Sequence, residues 1–540
     1  MRNTLIITDQ SVSCPVDASD AYEYRIDGGQ VEDDGTILIN DADRLNRLGS
    51  DLAQRYTDSI AELRCNMPWQ ALRDDTLGLL FYFTEVSTKR TEINESYDAF
   101  INAVFLRQTL PQNEITTIYV YGAHFLKNDT LSALFPDAAI IRDHLPPPTP
   151  KMRTILGKNL YYFLRFLLTA ICRWHSPKPT EKLLRSKRFF MTRYPGRLSD
   201  DGIEDKYSNL VGDDDCYIAG VLTDGMQQNM SFGQWWKSMH HAKRLRQTIF
   251  YDRFHHVSDG LAGLFWMIAI IANVSKSKTH LRIDGIELSQ IIDEEIRYSL
   301  FRLPRIITLS RSIKRVYEKI TAQGSSRRSI VYYLHEYGYG RMYTVLLARF
   351  FPKLRRIAMQ HGPASVRKMV YWVSHLEWTD SAHPLPKPHA VLAEDTPSAA
   401  LYRNVGYDHV MTMAKAPRLR GVFSTSVTPD YETSQLPYLV ATGLHDSDVI
   451  MAMMRPIMAY DEGREYLVKF HPKASISDEL RALLPDNCRI VQDSITVLFE
   501  QVGKVYVTYS SVGQEAEDIG LEVHYLDIPG RVSERPNAFG

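Results

Sequence analysis

The sequence predicts an α/β fold containing a parallel, doubly wound sheet, and three observations carry that prediction. Runs rich in β-branched and aromatic residues alternate with amphipathic stretches of helical length along most of the chain. After the proline cluster "HPLPKPHA" (383–390), strand-like and helix-like segments alternate one for one, a pattern met by right-handed βαβ units in a parallel sheet. Several of those strand-like runs stop abruptly at polar or small residues, and ligands of such sheets bind outside the carboxyl ends of the strands.

The elements follow in order. Residues 1–150 alternate "TLIITD", "GTILIN", a helical pattern over 43–64, "LGLLFYFTEV", a helix near 94–108 and "ITTIYVYG", which reads as an α/β layer. "HLPPPTPK" then leads into an apolar helix with a basic tail, over about 152–188. The α/β pattern resumes with "RFFMTRYPG", "DDDCYIAGVL", "SIVYYLHEYGYGR" and "LRRIAMQHG". The proline cluster is read as the boundary between a domain at 1–385 and a Rossmann-like domain at 386–540. In the second domain the strands "HAVLAED", "PYLVATG", "EYLVKFHP", "CRIVQD", "KVYVTYSS" and "EVHYLDIP" are separated by helices.

Composition narrows the class. With 44% hydrophobic and 24% charged residues the chain folds rather than remaining disordered, and its 540 residues exceed what one core holds. A formal net charge of −1 excludes a nucleic-acid binder that works by global charge. The five cysteines are scattered, without a CxxC pair or a histidine at metal spacing, so no structural zinc is expected and the cysteines are expected to be reduced. The first residues lack the apolar run of a signal peptide, and a cytoplasmic location is expected. "GLAGLFWMIAIIANV" (260–274) is short for a span and is expected to be a buried helix. "LGKNLYYFLRFLLTAICRW" (156–174), followed by a basic stretch, reads either as a core helix or as one lying on an anionic membrane surface.

The candidate chemistry sits at the strand ends of the second domain. "GLHDSD" offers Gly443 and His445, "KFHPK" offers His471, Pro472 and Lys473, and "SSVGQE" offers Ser510, Ser511, Gly513 and Glu515. A glycine lets backbone approach a ligand closely, and a helix start offers free N–H groups to an anion. His471 would donate to the same phosphate, while Glu515 or Glu517 would accept from ribose hydroxyls. Read singly, a histidine before proline is a loop histidine and Ser-Ser before a helix is an N-cap. Their joint order on one sheet points to a nucleotide. There is no GxGxxG fingerprint, no Walker lysine loop and no DxD pair in a position that would suggest a metal-bound nucleotide sugar, so neither metal nor cofactor is expected.

"KFHP" followed by "VTYSSVGQEAEDIG" resembles the His-Pro and Ser-Ser motifs of bacterial GT-B glycosyltransferases that use CMP-activated sugars, such as sialic-acid and Kdo transferases of surface polysaccharides. "YYLHEYGYGRMYTVLLARFFPKLRRIAMQHG", "FYFTEVSTKRTEINESYDAF" and "RFFMTRYPG" are similar to further segments of bacterial surface-carbohydrate enzymes. The resemblance implies two Rossmann-like domains facing a central cleft, and inverting, metal-independent transfer of a sugar from a nucleotide donor to a glycan or lipid-linked glycan. It implies that His471 and the Ser-Ser turn stabilise the departing phosphate. Where sialyltransferases often carry two acidic residues before a glycine, this chain departs with "HEYG"; Glu336, which ends an apolar run and is flanked by Gly338 and Gly340, is the first choice of base, and Glu85, closing "LLFYFTE", the second. His361 and Gly362 of the Gln-His-Gly turn, with Arg341, are expected at the cleft on the acceptor side. A UDP-sugar or polyol-phosphate transferase of the same fold, and a non-catalytic scaffold at the membrane, stand as alternatives. The apolar helix with its basic stretch between Arg173 and Arg188 makes a cytoplasmic chain peripheral to the inner membrane the matching expectation of location.

Overall fold

Three sheets built only from parallel strands organise the chain in the computed structural model, which describes residues 3–8, 21–25, 37–39, 41–66, 68–91, 93–142, 152–192, 198–199, 202–203, 210–221, 231–274, 278–324, 328–333, 335–362, 364–380, 382, 384–413, 436–443, 447–471, 474, 478–482, 484–508, 510–527 and 532–533. The first sheet takes β1 (Thr4–Thr8), β2 (Ala21–Arg25), β3 (Ile37–Leu38), β4 (Thr117–Tyr121) and β5 (Ala139–Arg142) in the order β3-β2-β1-β4-β5. The middle sheet takes β6 (Arg188–Met191), β7 (Cys216–Ala219), β8 (Thr248–Phe250), β9 (Ser329–Tyr333), β10 (Arg355–Met359), β11 (Ala390–Ala393) and β12 (Val410–Thr412) in the order β8-β7-β6-β9-β10-β11-β12. The last takes β13 (Tyr438–Ala441), β14 (Tyr466–Lys469), β15 (Cys488–Ile490), β16 (Lys504–Val507) and β17 (Glu522–Tyr525) in the order β15-β14-β13-β16-β17.

Each sheet therefore starts in its middle, winds to one edge, then crosses back and winds to the other. This is the doubly wound, Rossmann-like order, with a switch point between the first strand and the fourth. Strands covered on both faces are apolar throughout: all residues of β7 ("CYIA") and β9 ("SIVYY") are buried. The edge strands β5 ("AIIR") and β17 ("EVHY") alternate between exposed and half-buried positions instead.

The sequence-predicted boundary at 385/386 is corrected. β11 and β12 lie beyond it, yet β11 pairs with β10 and β12 with β11, so the passage between sheets falls between Met413 and Leu436. The prolines at 384–388 mark a connection inside the middle unit, because proline punctuates loops wherever they occur. A single apolar core unites the first and middle sheets, while the last sheet has separate cores on its two faces. By packing, the chain is an amino-terminal lobe of two sheets and a carboxy-terminal lobe of one.

Helices join the two sheets of the large lobe. α1 (Ala42–Glu62) is capped by Asp41, whose carboxylate accepts the Arg44 N–H at 2.9 Å. α2 (Ser96–Thr109) is capped from outside: the Glu295 carboxyl accepts the Glu95 and Ser96 N–H groups, each at 2.7 Å. Further along come α3 (Met152–Ile171), α4 (Phe232–Ala242), α5 (Val257–Val274) and the long α6 (Ser289–Thr321). Pro304 lies inside α6 and has no N–H for the Leu300 carbonyl; Asn159 of α3 donates Nδ2 to that oxygen at 3.3 Å. α5 is not the buried helix expected from its composition: its outward residues Phe265 and Ile268 are 67% and 66% exposed.

α7 (Gly338–Phe350) docks directly on the segment 80–88. A Cβ on Gly338 would lie 2.8 Å from the Phe83 carbonyl oxygen, so only glycine permits the approach. Arg341, expected at the cleft on the acceptor side, is instead buried in this junction. Its Nη1 donates to the Tyr82 carbonyl at 3.1 Å and the Ser87 hydroxyl at 2.8 Å, and lies 3.4 Å from the Glu377 carboxylate. Arg341→Met keeps the volume but leaves Glu377 buried without its cation, so unfolding free energy should fall by about 3–5 kcal/mol. Urea denaturation of the two proteins checks this; an unchanged midpoint would remove Arg341 from the stabilising contacts between the sheets.

Candidate active-site cleft

Parallel pairing brings the carboxyl ends of each sheet to one edge. In the small lobe the switch point lies between β13 and β16. β13 ends at Thr442 and Gly443, where the Ser447 hydroxyl, in the first turn of α9 (Ser447–Tyr460), lies 2.9 Å from the Thr442 hydroxyl and donates to the Gly443 carbonyl at 3.2 Å. Beside it β14 ends at His471, which is half-buried and whose carbonyl accepts the Ala474 N–H at 2.8 Å. His445, Pro472 and Lys473 lie outside the described residues.

β16 runs into α10 (Ser511–Asp518), one residue pair earlier than a helix start at Gly513. Ser510 is its N-cap and accepts the Val512 N–H at 3.2 Å, so its hydroxyl serves the helix, as the plain reading of Ser-Ser had it. Ser511 opens the first turn at the switch point. Gly513 is there for packing: a Cβ would sit 2.8 Å from Val507 Cγ2 and 2.9 Å from the Tyr525 hydroxyl. Glu515 is buried, at 1% exposure. Glu517 is hydrogen-bonded by Tyr525, with burial raising its pKa above the usual carboxylate range.

The opposing edge belongs to the middle sheet. β10 ends at Gln360, His361 and Gly362, and β11 at Glu394 and Asp395, ahead of α8 (Thr396–Asn404). Gly362 has φ +88°, in the left-handed region that favours glycine. The turn is clamped from several sides. The Gly362 N–H donates to Glu394 at 3.1 Å, and the Tyr371 hydroxyl reaches the carbonyls of His361 and Gly362 at 2.8 and 2.9 Å. The Gln360 side chain donates to Ser398 at 2.9 Å and accepts the Glu394 N–H at 2.8 Å. The His361 ring lies 5.6 Å from that of Tyr333.

Asp395 holds the N-terminus of α8, accepting the Ser398 N–H at 2.6 Å, and also bonds the Gln514 side chain of α10. This contact joins the carboxyl edge of the middle sheet to the helix at the small lobe's switch point. Burial raises the Asp395 pKa, opposed by the bonds from Ser398 and Gln514.

Glu336 follows β9 and is 2% exposed. The Tyr402 hydroxyl donates to its Oε1, and His335 Nδ1 lies 3.0 Å from the same oxygen. Burial drives Glu336 up to about 8 and holds His335 down to about 3, so near neutral pH the pair is an uncharged carboxyl beside an uncharged imidazole. The adjoining cavity, walled by Trp378, Pro386 and Tyr407, has about 20 Å³ open to the centre of a water molecule. That admits one water and no sugar. Glu85 is paired with Arg302 at 2.5 Å and Arg90 at 3.5 Å, and Arg90 lies over the Tyr337 ring, 4.7 Å from its centre. Both carboxylates thus flank the start of α7, but Glu85 is engaged by two arginines.

Sequence reasoning passed over Tyr402, Gln360, Glu394 and Asp395. The last two had a signal: "VLAED" is a strand-like run ending in two carboxylates before Thr-Pro-Ser, a strand end and an N-cap together. Tyr402 had none, since only the tertiary fold brings it to Glu336.

Glu336 has a measurable consequence. A carboxyl with a raised pKa binds its proton more tightly folded than unfolded, so its contribution is full below about pH 4.5 and is lost as pH rises through about 8. Glu336→Gln removes that dependence. The variant should gain stability relative to the parent between about pH 5 and 8, with a constant difference above. Glu295, also pushed up to about 8 by burial, is common to both and cancels. Chemical denaturation across this range checks the difference; parallel curves would mean that Glu336 is ionised at neutral pH.

No protein-family model matches the chain, and no curated protein does. Among solved structures it is similar to a UDP-GlcNAc 2-epimerase from Neisseria meningitidis bound to UDP-GlcNAc, with a TM-score of 0.32 and 10% sequence identity, over 65% of this chain and 84% of that one. A likeness of that size leaves function to the geometry of the site.

Proposed function

We propose that the chain is a glycosyltransferase of GT-B type that binds a nucleotide-activated sugar between its two lobes and transfers the sugar to a hydroxyl of a bacterial surface glycan. The observation that carries this reading is the pair of doubly wound sheets whose carboxyl edges meet at Asp395 and Gln514. The small lobe supplies the donor site: the first turn of α10 and the Ser511 hydroxyl face the phosphate, and His471 donates to it from the neighbouring strand end. Gly443 leaves room for the nucleotide beside the switch point. The donor is a CMP-activated 2-keto-3-deoxy sugar, and its departing phosphate is stabilised by these donors rather than by a metal.

The acceptor hydroxyl needs a base on the opposing edge. Asp395 serves best, because it is the carboxylate that reaches α10, and burial raises its proton affinity. Glu336 has a pKa better suited to the task, yet its cavity admits only water. His361 and Gly362 line the acceptor side.

Two experiments test the reading. Calorimetry with CMP, UDP and CDP-glycerol should show CMP bound most tightly, and His471→Ala and Ser511→Ala should each weaken it about tenfold or more, as loss of a charge-assisted hydrogen bond does. Preference for UDP or CDP-glycerol would reassign the donor, and no binding of any would leave a scaffold. With the preferred donor, Asp395→Asn keeps an N-cap residue but cannot take a proton, so transfer should fall by a factor of about 10² or more while donor affinity holds. If Glu336→Gln has that effect and Asp395→Asn does not, the base is Glu336.

A further inference from the structure

α3 and α5 form an antiparallel pair on the surface of the large lobe. A Cβ on Gly260 of α5 would meet Leu167 and Phe166 of α3, and one on Gly263 would meet Phe163, so the two glycines seat the helices in close contact. The inner faces are fixed by this packing and by α6, where Thr308 Oγ1 lies 2.2 Å from the Gly263 Cβ position. The outer faces are apolar. Leu160, Leu164 and Ile171 of α3 and Leu261, Phe265 and Ile268 of α5 all project into solvent, at spacings of three, four or seven residues along each helix. Two adjacent stripes of this kind make a continuous apolar surface, which soluble proteins avoid leaving open.

The surroundings of this surface are one-sided in charge. The sequence from 144 to 180 has six Lys or Arg and no Asp or Glu, in a chain whose net charge is −1. The stretch from 225 to 251 has four Lys or Arg and again no Asp or Glu. Among the described residues at the margins, Asp259 is buried against Arg315 at 2.6 Å, Glu181 pairs with Arg185 at 3.3 Å, and Asp252 is buried, accepting the Val221 N–H at 2.8 Å. At the end where α3 stops and α5 starts, Arg253 donates to the Arg173 carbonyl at 3.1 Å, and Trp174 is 62% exposed. Trp236 of α4 lies 4.9 Å from the His175 ring at the same end, with Lys237 exposed beside it. Exposed aliphatic stripes rimmed by tryptophan and basic side chains match the layers of a bilayer interface: acyl chain, glycerol level and anionic headgroup.

We infer that the outer face of α3 and α5 is a docking surface for an anionic lipid bilayer, into which the helix pair sinks parallel to the membrane plane. Charge selects this occupant over a second copy of the chain, since two copies would bring identical basic rims together. α5 is long and apolar enough to cross a membrane by length and composition, but a third of it is buried against protein and its first turn carries the Asp259–Arg315 pair. Lying on the surface satisfies both faces without breaking that pair.

The full chain is tested by co-sedimentation with vesicles of phosphatidylcholine alone and of phosphatidylcholine mixed with phosphatidylglycerol. Binding is expected to the mixed vesicles only, and to fall as salt rises. Phe265→Asp/Ile268→Asp should reduce the bound fraction about tenfold or more, the loss expected when two apolar side chains no longer insert. Arg173→Glu/Lys178→Glu should weaken binding while leaving the apolar face intact. Circular dichroism and the melting temperature establish that the variants fold, and Leu261→Gln on the same face serves if the double aspartate variant does not. Three results would each overturn the inference: binding unaffected by changes on the face, protein that resists alkaline extraction as a spanning helix does, and a lipid-free dimer that dissociates on Phe265→Asp.

Discussion

Parallel pairing within each sheet is the constraint on which the rest of this structure depends. A parallel strand cannot be joined to its neighbour by a tight turn, so each connection must cross a face of the sheet and return, and every strand finishes at the same edge. Residues far apart in sequence are thereby delivered to one place. His471 and Ser511 arrive from different strands of the small lobe, and His361 and Asp395 from different strands of the middle sheet. No local interaction among them is needed to assemble the cleft; the winding does it.

Rigidity of the large lobe comes from polar groups that are satisfied across elements rather than within them. The orphan carbonyl opposite Pro304 is bonded by Asn159, the α2 N-terminus by Glu295, and the segment 80–88 by Arg341. Each ties a helix of one sheet's layer to a residue from another part of the chain. Unsatisfied buried groups cost more than made bonds gain, so such ties specify a single arrangement more than they add net stability. A second link crosses the same lobe: the Arg367 guanidinium pairs with Asp98 of α2 at 2.7 Å.

Much of this architecture is legible in the sequence because strand runs and their stops are local signals. The alternation in the last third gave the small lobe's parallel sheet, with His471 and Ser510–Ser511 at its carboxyl edge. The boundary was misplaced because the proline cluster at 383–390 is a local signal for a loop, whereas membership of β11 in the middle sheet depends on pairing with β10. The same limit applies to single residues. Arg341 is expected at the cleft through the resemblance, but its burial follows from where Tyr82 and Glu377 fall in three dimensions. α5 reads as a core helix because composition counts apolar residues without saying which face the rest of the fold covers.

The edge that gathers the cleft also fixes the orientation of the apolar helix pair. β8 ends at the carboxyl edge of the middle sheet and leads through Tyr251–Phe254 directly into α5. The first turn of α5 therefore lies toward that edge, and because α3 runs antiparallel, Arg173 and Trp174 lie there too. The basic, tryptophan-bearing end of the surface is consequently the end nearest the strand termini, and the opposite end points toward the amino edge. A bilayer meeting this surface would lie alongside the large lobe, with the basic, tryptophan-bearing end nearest the edge on which the candidate site opens. Under the proposed function, an acceptor held in that bilayer by a lipid tail would approach the middle sheet's edge from the membrane.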